Sequence, residues 1–286
     1  MYQKLLAVFL VCLSATSFAG FNEAQSAFKK GDYQGAVQEY IRMGNAGDTN
    51  AQLILGALYS KGGAVPRDEK TAIFWLEKSS LQGNMFAQYL LGQVYENSQL
   101  PNNYQQASIW YKKAAQQGQA DAQVRLGHFY SQGLGIAQNY NEAILWLGRA
   151  ALQNNVNAQQ QLGLMYLNGK GLPKSPQVAT GWFSKAAAQK NDASLLLLAD
   201  IYKDGDGTDK KPVLAYALYE LAVIHQTELQ KEAIKKRDGL AKTLNSQQID
   251  DAEKLAEELN KPNNFSKTLT AYLKRSEQLF RFFPDK

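Results

Sequence analysis

The side chains that could do chemistry in this 286-residue sequence are few and widely separated. It holds two histidines, His128 and His225, and one cysteine, Cys12. A protein zinc site needs several Cys, His or carboxylate ligands converging on one point, usually announced by closely spaced pairs. These residues offer no such pair, so the expectation is no metal. Asp204-Gly205-Asp206-Gly207-Thr208-Asp209 has the alternating acids of a calcium loop. Its sixth position, where the sharp turn needs glycine, is Asp209, and the twelfth is Ala215 rather than a chelating glutamate. It reads as an ordinary loop. Asp250-Asp251 and Glu257-Glu258 are adjacent pairs that diverge on a helix, and Lys235-Lys236-Arg237 reads as a solvated helix face, or else a contact for an acidic partner. No Ser/His/Asp set, phosphate-cradling glycine loop or dinucleotide fingerprint occurs. Neither catalysis nor a cofactor is expected.

The segments that position these residues begin with a leader. One lysine, Lys4, precedes an unbroken apolar run from Leu5 to Leu13, and Ser17-Phe18-Ala19 puts small residues at −3 and −1 of a cut before Gly20. That is the layout of a secretory signal peptide over 1–19, and the run is too short to span a bilayer. A buried N-terminal helix is the other reading. Val11 before Cys12 argues against a lipid-anchored cysteine. Cleavage would remove the sole cysteine, and with it any disulfide or thiol nucleophile. The net charge of +5 would fall by one with Lys4. So small an excess does not make the basic stripe that nucleic-acid binding requires. With 45% hydrophobic and 20% charged residues the chain has the composition of a folded protein. A mean hydropathy of −0.39 excludes a polytopic membrane protein.

Beyond the leader a period dominates. All four tryptophans, Trp75, Trp110, Trp146 and Trp182, are spaced by 35, 36 and 36 residues. Three residues before each stands an alanine (Ala72, Ala107, Ala143, Ala179), and four after each a small residue (Ser79, Ala114, Ala150, Ala186). A fifth copy keeps Ala215 and Ala222 around Leu218. In parallel run Leu55-Gly56, Leu91-Gly92, Leu126-Gly127, Leu162-Gly163 and Leu198-Ala199, each followed three residues later by Tyr59, Tyr95, Tyr130, Tyr166 or Tyr202. Each copy therefore reads as two helices: A, carrying the Leu-Gly and Tyr, and B, carrying the Ala and Trp. The small residue on A should let another backbone come close. Glycine-rich loops join A to B in every copy but the second, whose Asn97-Ser98-Gln99-Leu100-Pro101 has none. Identical placement of Trp and Tyr in each copy reads as repeated packing, not as a sugar-stacking or peptide-binding row.

This pattern of L-G-x-x-Y-x-x-G-x-G followed by A-x-x-W-[YFL]-x-[KR]-A-A resembles the Sel1-like repeat, a relative of the tetratricopeptide repeat. The resemblance implies an all-α, right-handed α-solenoid of helix-turn-helix repeats, with five copies over 49–223. Residues 20–48 resemble a tetratricopeptide-type hairpin. After it, Val213 to Thr243 reads as one long helix, and Gln247 to Asn260 as a second behind an Asn245-Ser246 cap. Residues 224–260 are expected to be a helical cap and 261–286 a polar tail with a basic, aromatic end at Arg281-Phe282-Phe283.

Recognition should sit where the copies differ. The helix A positions at −3, +1, +4 and +5 from the glycine share one face. By analogy with tetratricopeptide arrays that face lines the concave surface. The chosen residues are Tyr89, Gln93 and Glu96 of the second copy, His128 and Ser131 of the third, and Gln160 of the fourth. The alternative is that they are mere solvated surface. The family resemblance implies an exported, non-catalytic adaptor or regulator in the bacterial envelope, periplasmic or secreted, binding a protein or peptide. Its oligomeric state stays open. The other readings are a structural or cell-wall-associated component, or a β-lactamase-like hydrolase as claimed for cysteine-rich relatives, whose paired cysteines this chain lacks.

Overall fold

The computed structural model describes residues 15–282, which form fifteen α-helices and no strand among those residues. The chain divides into two compact units, one ending at Trp146 and the other starting at Leu147. Of the expected leader, residues 1–14 lie outside the described residues, and helix α1 (Ala15–Lys29) begins within it.

In the first unit α1 packs on α2 (Tyr33–Asn45), followed by the pairs α3 (Thr49–Lys61) with α4 (Glu69–Leu81) and α5 (Met85–Glu96) with α6 (Asn103–Gln116). Helix α7 (Ala120–Gln132) packs on α6, and α8 (Tyr140–Leu152) carries the division between the units. In the second unit α9 (Val156–Asn168) pairs with α10 (Pro176–Ala187), and α11 (Asp192–Asp204) with α12 (Pro212–Ile224). Helices α13 (Gln230–Ala241) and α14 (Ser246–Asn260) both pack on α12, and α15 (Phe265–Phe282) on α14.

Every A helix starts on a side chain that accepts the hydrogen bonds of its first turn: Asp48, Asn84, Gln119, Asn155 and Asn191. Such caps replace the missing intrahelical acceptor and are each worth about 1 kcal/mol. Helices α7, α9 and α11 end on Gly133, Gly169 and Gly205 in the left-handed region. The glycine-free second copy ends α5 on Asn97, with a right-handed φ of −92°, and starts α6 behind Asn102, with φ of 57°. The loops are closed the same way elsewhere. Backbone N–H groups of Asp68, Asn139, Ser175 and Lys211 donate to the carbonyls of Tyr59, Tyr130, Tyr166 and Tyr202 at 2.7–2.9 Å.

The A-helix glycines face helix B side chains first, and at Gly56 also the Ala72 backbone carbonyl, 3.3 Å from where a Cβ would stand. A Cβ on Gly56 would lie 2.3 Å from Leu76 Cγ, one on Gly92 2.7 Å from the Tyr111 ring, and one on Gly163 2.5 Å from the Phe183 ring. Each neighbour is the residue directly after a tryptophan, so the glycine is the socket for helix B. Trp75, Trp110 and Trp146 are buried, while Trp182 is half-buried beside a fully buried Phe183. Lys78, Lys113 and Lys185 cover the rings of Trp75, Trp110 and Trp182 at 4.0–5.1 Å.

Three expectations fail in the second unit. The long helix from Val213 breaks at 225–229, where Gln226 is left-handed with φ of 53° and Gln230 Nε2 donates to the Val223 carbonyl. His225 and Thr227 turn inward there, both bonding Asp192. Lys236 and Arg237 are not a solvated face. They bridge Asp200 at 2.6 Å and Glu220 at 2.7 Å, tying α13 to α11 and α12. The segment read as a polar tail is helical over Phe265–Phe282, with Phe265 and Leu269 buried in the core. Its apolar residues at one-turn spacing outweigh its polar composition.

Candidate functional site

The A-helix face divides by position. At −3 from the glycine, Leu53 and Val124 are buried, Leu53 among Leu76, Ala87, Leu91 and Trp110. In the first copy that position points under the next, so Leu53 is core. Tyr89 and Gln160 at the same position are half-buried. Gln93, Glu96, His128 and Ser131 are half-buried as well. Gln160 belongs to the second unit, and the other five to the first.

Within the first unit, α5, α6 and α7 bring Tyr89, Gln93, Glu96 and His128 into one cluster, whereas the Ser131 hydroxyl bonds within its own helix. Gln93 Nε2 donates to Tyr89 Oη at 2.9 Å, along one turn of α5. Glu96 receives the hydroxyl of Tyr111 from α6 at 2.5 Å and faces the guanidinium of Arg125 from α7 at 2.9 Å. The Tyr89 and Tyr111 rings lie 5.9 Å apart, and Tyr111 stacks edge-on against Phe129 at 5.3 Å. Ser131 donates to the His128 carbonyl at 2.8 Å, a local helix bond, and its oxygen accepts from Gln132 Nε2 at 3.4 Å.

The electrostatics follow from that packing. Burial pushes the Tyr111 hydroxyl well above its ordinary range, and the bonded Glu96 carboxylate adds to the effect, so Tyr111 stays a donor. Burial also raises Tyr89, helped by the charge of Asp121. His128 is held below the usual imidazole range by burial first and then by the Arg125 guanidinium, with Glu96 opposing. The surface thus presents a neutral imidazole, a protonated phenol, an amide and a half-covered Arg–Glu pair. It offers hydrogen bonds and ring faces. A small cavity of about 210 Å³ adjoins it, lined by Ser60, Lys61, Leu90, Gln93, Val94 and Asn97 among others.

Sequence reasoning missed two members, Arg125 and Tyr111. Arg125 stands at −2 from its glycine, off the face considered, and Tyr111 belongs to helix B. It also missed a buried ladder. Gln52, Gln88, Gln123 and Gln159 are buried, and each donates to the carbonyl eight residues earlier, that of Gly44, Ser80, Ala115 or Ala151. The side-chain oxygens of Gln52, Gln88 and Gln159 accept from Gln82, Gln117 and Gln189 at 2.7–2.9 Å. The recurrence at 36, 35 and 36 residues was the available signal.

The calcium-like loop turns its acids to lysines, Asp206 to Lys174 at 3.1 Å and Asp204 to Lys203 at 3.4 Å. Among the described residues no group of three His, Cys, Asp or Glu could hold a metal ion, and no helix is long and apolar enough to cross a membrane.

Comparison with known proteins gives a consistent answer. The profile of the Sel1 repeat matches residues 49–84, 86–119, 120–155, 156–191 and 192–223. A Sel1 repeat protein from Oxalobacter formigenes is 28% identical, with a TM-score of 0.67 over 74% of this chain and 88% of that one. A protective antigen present in uropathogenic Escherichia coli strains, displaying an SLR fold, is 26% identical with a TM-score of 0.51. That match covers 90% of this chain and 63% of the antigen's length. No curated protein matches.

Proposed function

We propose that this chain, which belongs to the Sel1 repeat family, is a non-catalytic adaptor or regulator of the bacterial envelope that binds a protein or peptide on the A-helix face of its second and third copies. Repeats of this family generally mediate protein–protein interaction. The observation that carries the reading is the Tyr89–Gln93–Glu96–Arg125–His128 cluster. Its members differ from copy to copy, whereas the Leu, Gly and Trp positions around them pack repetitively. An aromatic and an arginine beside amides form the mixed anchor found at interface hot spots.

Export rests on the leader-like residues 1–19 and gives the reading its compartment. The protein recovered from an envelope fraction is expected to begin at Gly20, as read by mass spectrometry. Used as bait there, it should retain a saturable partner that a Tyr89→Ala/Gln93→Ala/His128→Ala variant of unchanged helicity and melting loses. Equal retention by the variant would move the site off this face, and an intact Met1 in a cytoplasmic fraction would remove the envelope.

A further inference from the structure

The glutamine ladder stops at the fifth copy. Leu195 stands where Gln52, Gln88, Gln123 and Gln159 stand in the others, and His225 where Gln82, Gln117, Gln153 and Gln189 do. A different pair replaces it. His225 Nδ1 lies 2.5 Å from Asp192 Oδ1, and Thr227 donates to Asp192 Oδ2 at 2.7 Å. The side chains of Asp192 and His225 are only 4% and 11% exposed. With Nδ1 facing a carboxylate the ring is fixed in orientation, and Nε2 is its remaining polar edge.

That histidine lines a cavity of about 460 Å³ between the ends of α10, α12 and α14 and the start of α15, all in the second unit. The volume is in the range of small-molecule sites, about 300–1,000 Å³. Its charged lining is basic, Lys190 and Lys261, with no acidic side chain. Lys261 is also bridged to Glu258, whereas Lys190 makes no ion pair among the described residues. Leu221, Leu259 and Phe265 supply apolar walls. Ammonium groups only donate, and the His225 ring, held by Asp192 at Nδ1, keeps Nε2 as a second polar edge away from that carboxylate. Donors of this kind suit an acceptor-only anion, and the walls suit an apolar group attached to it.

We infer that this cavity binds a carboxylate bearing an apolar side group, either a free small acid or the C-terminal residue of a peptide. The site is separate from the A-helix cluster. The test is a titration of the purified protein, followed through the ring resonances of its two histidines, with N-acetyl-leucine, its amide, and acetyl-Gly-Gly-Leu. The expected result is saturable movement of His225 and none of His128 with one or both acids, and no movement with the amide. Tighter binding of the tripeptide assigns a peptide C-terminus, and tighter binding of N-acetyl-leucine a free acid. Lys190→Ala/Lys261→Ala should weaken binding by about tenfold or more, the size of a lost charge-assisted contact. The alanine variant of Tyr89, Gln93 and His128 should bind these acids unchanged. Equal binding of the amide, or no movement of His225 at millimolar acid, overturns the proposal.

Discussion

At the scale of single residues, two side chains report directly on the packing. Gln88 is buried with its amide donating to the Ser80 carbonyl at 3.1 Å and its oxygen accepting from Gln117 at 2.7 Å. Gln88→Leu keeps the bulk, as Leu195 does in the fifth copy, but removes both of these hydrogen bonds, leaving the Ser80 carbonyl its backbone bond from Gly83 N–H. The expected loss is about 1–3 kcal/mol in denaturant unfolding, the net worth of two hydrogen bonds. Stability equal to the parent would mean the ladder is ornamental. His128 carries a pH dependence with a definite sign. Its folded imidazole sits below the ordinary value because of burial and Arg125. As pH falls through about 6.5 the unfolded chain takes up this proton before the folded one does, so the contribution to stability shrinks on acidification. His128→Gln, the residue found at the matching Gln93, should flatten that part of the melting profile between about pH 7.5 and 5.5. Parallel profiles would show that His128 is not desolvated in solution.

At the scale of helices, the account turns on how A seats B. The period that names each element was legible in the sequence, since Trp, Ala, Gly and Tyr repeat at 35–36 residues. What each glycine accommodates was not. Gly92 faces the Tyr111 ring, and a spacing pattern says that something is close without saying whether it is backbone or side chain. Arg125 and Tyr111 escaped notice for a related reason: a one-helix face omits what neighbouring helices contribute to the same patch. The break at 225–229 was hidden because its cause is tertiary, two side chains bonded to Asp192 in a stretch without glycine or proline. Trp110→Ala tests the seating itself. Trp110 is buried with Leu53, Leu76, Ala87 and Leu91, residues of three other helices. Its truncation should cost about 3–5 kcal/mol, and nearest-neighbour coupling should lower the protection of amides in α3 to α5 as well as α6. Damage confined to α6 would mean that the repeats do not share a core.

At the scale of the whole molecule, the same repeated packing that builds the array leaves few positions free to vary, and function is read from those. The Leu, Gly, Trp and Gln sites are taken by the core and the ladder, whereas Tyr89, Gln93, Glu96 and His128 vary between copies and gather with Arg125. Helix B's outer face offers a contrasting control, because Ile109 is exposed on it and belongs to no polar cluster. The most direct measurement places a photo-crosslinking amino acid in living cells either at Gln93 or at Ile109 and compares the adducts after irradiation. The account predicts one discrete protein adduct from position 93 and none above background from position 109. The same adduct from position 109 with none from 93 would contradict it, placing recognition on helix B.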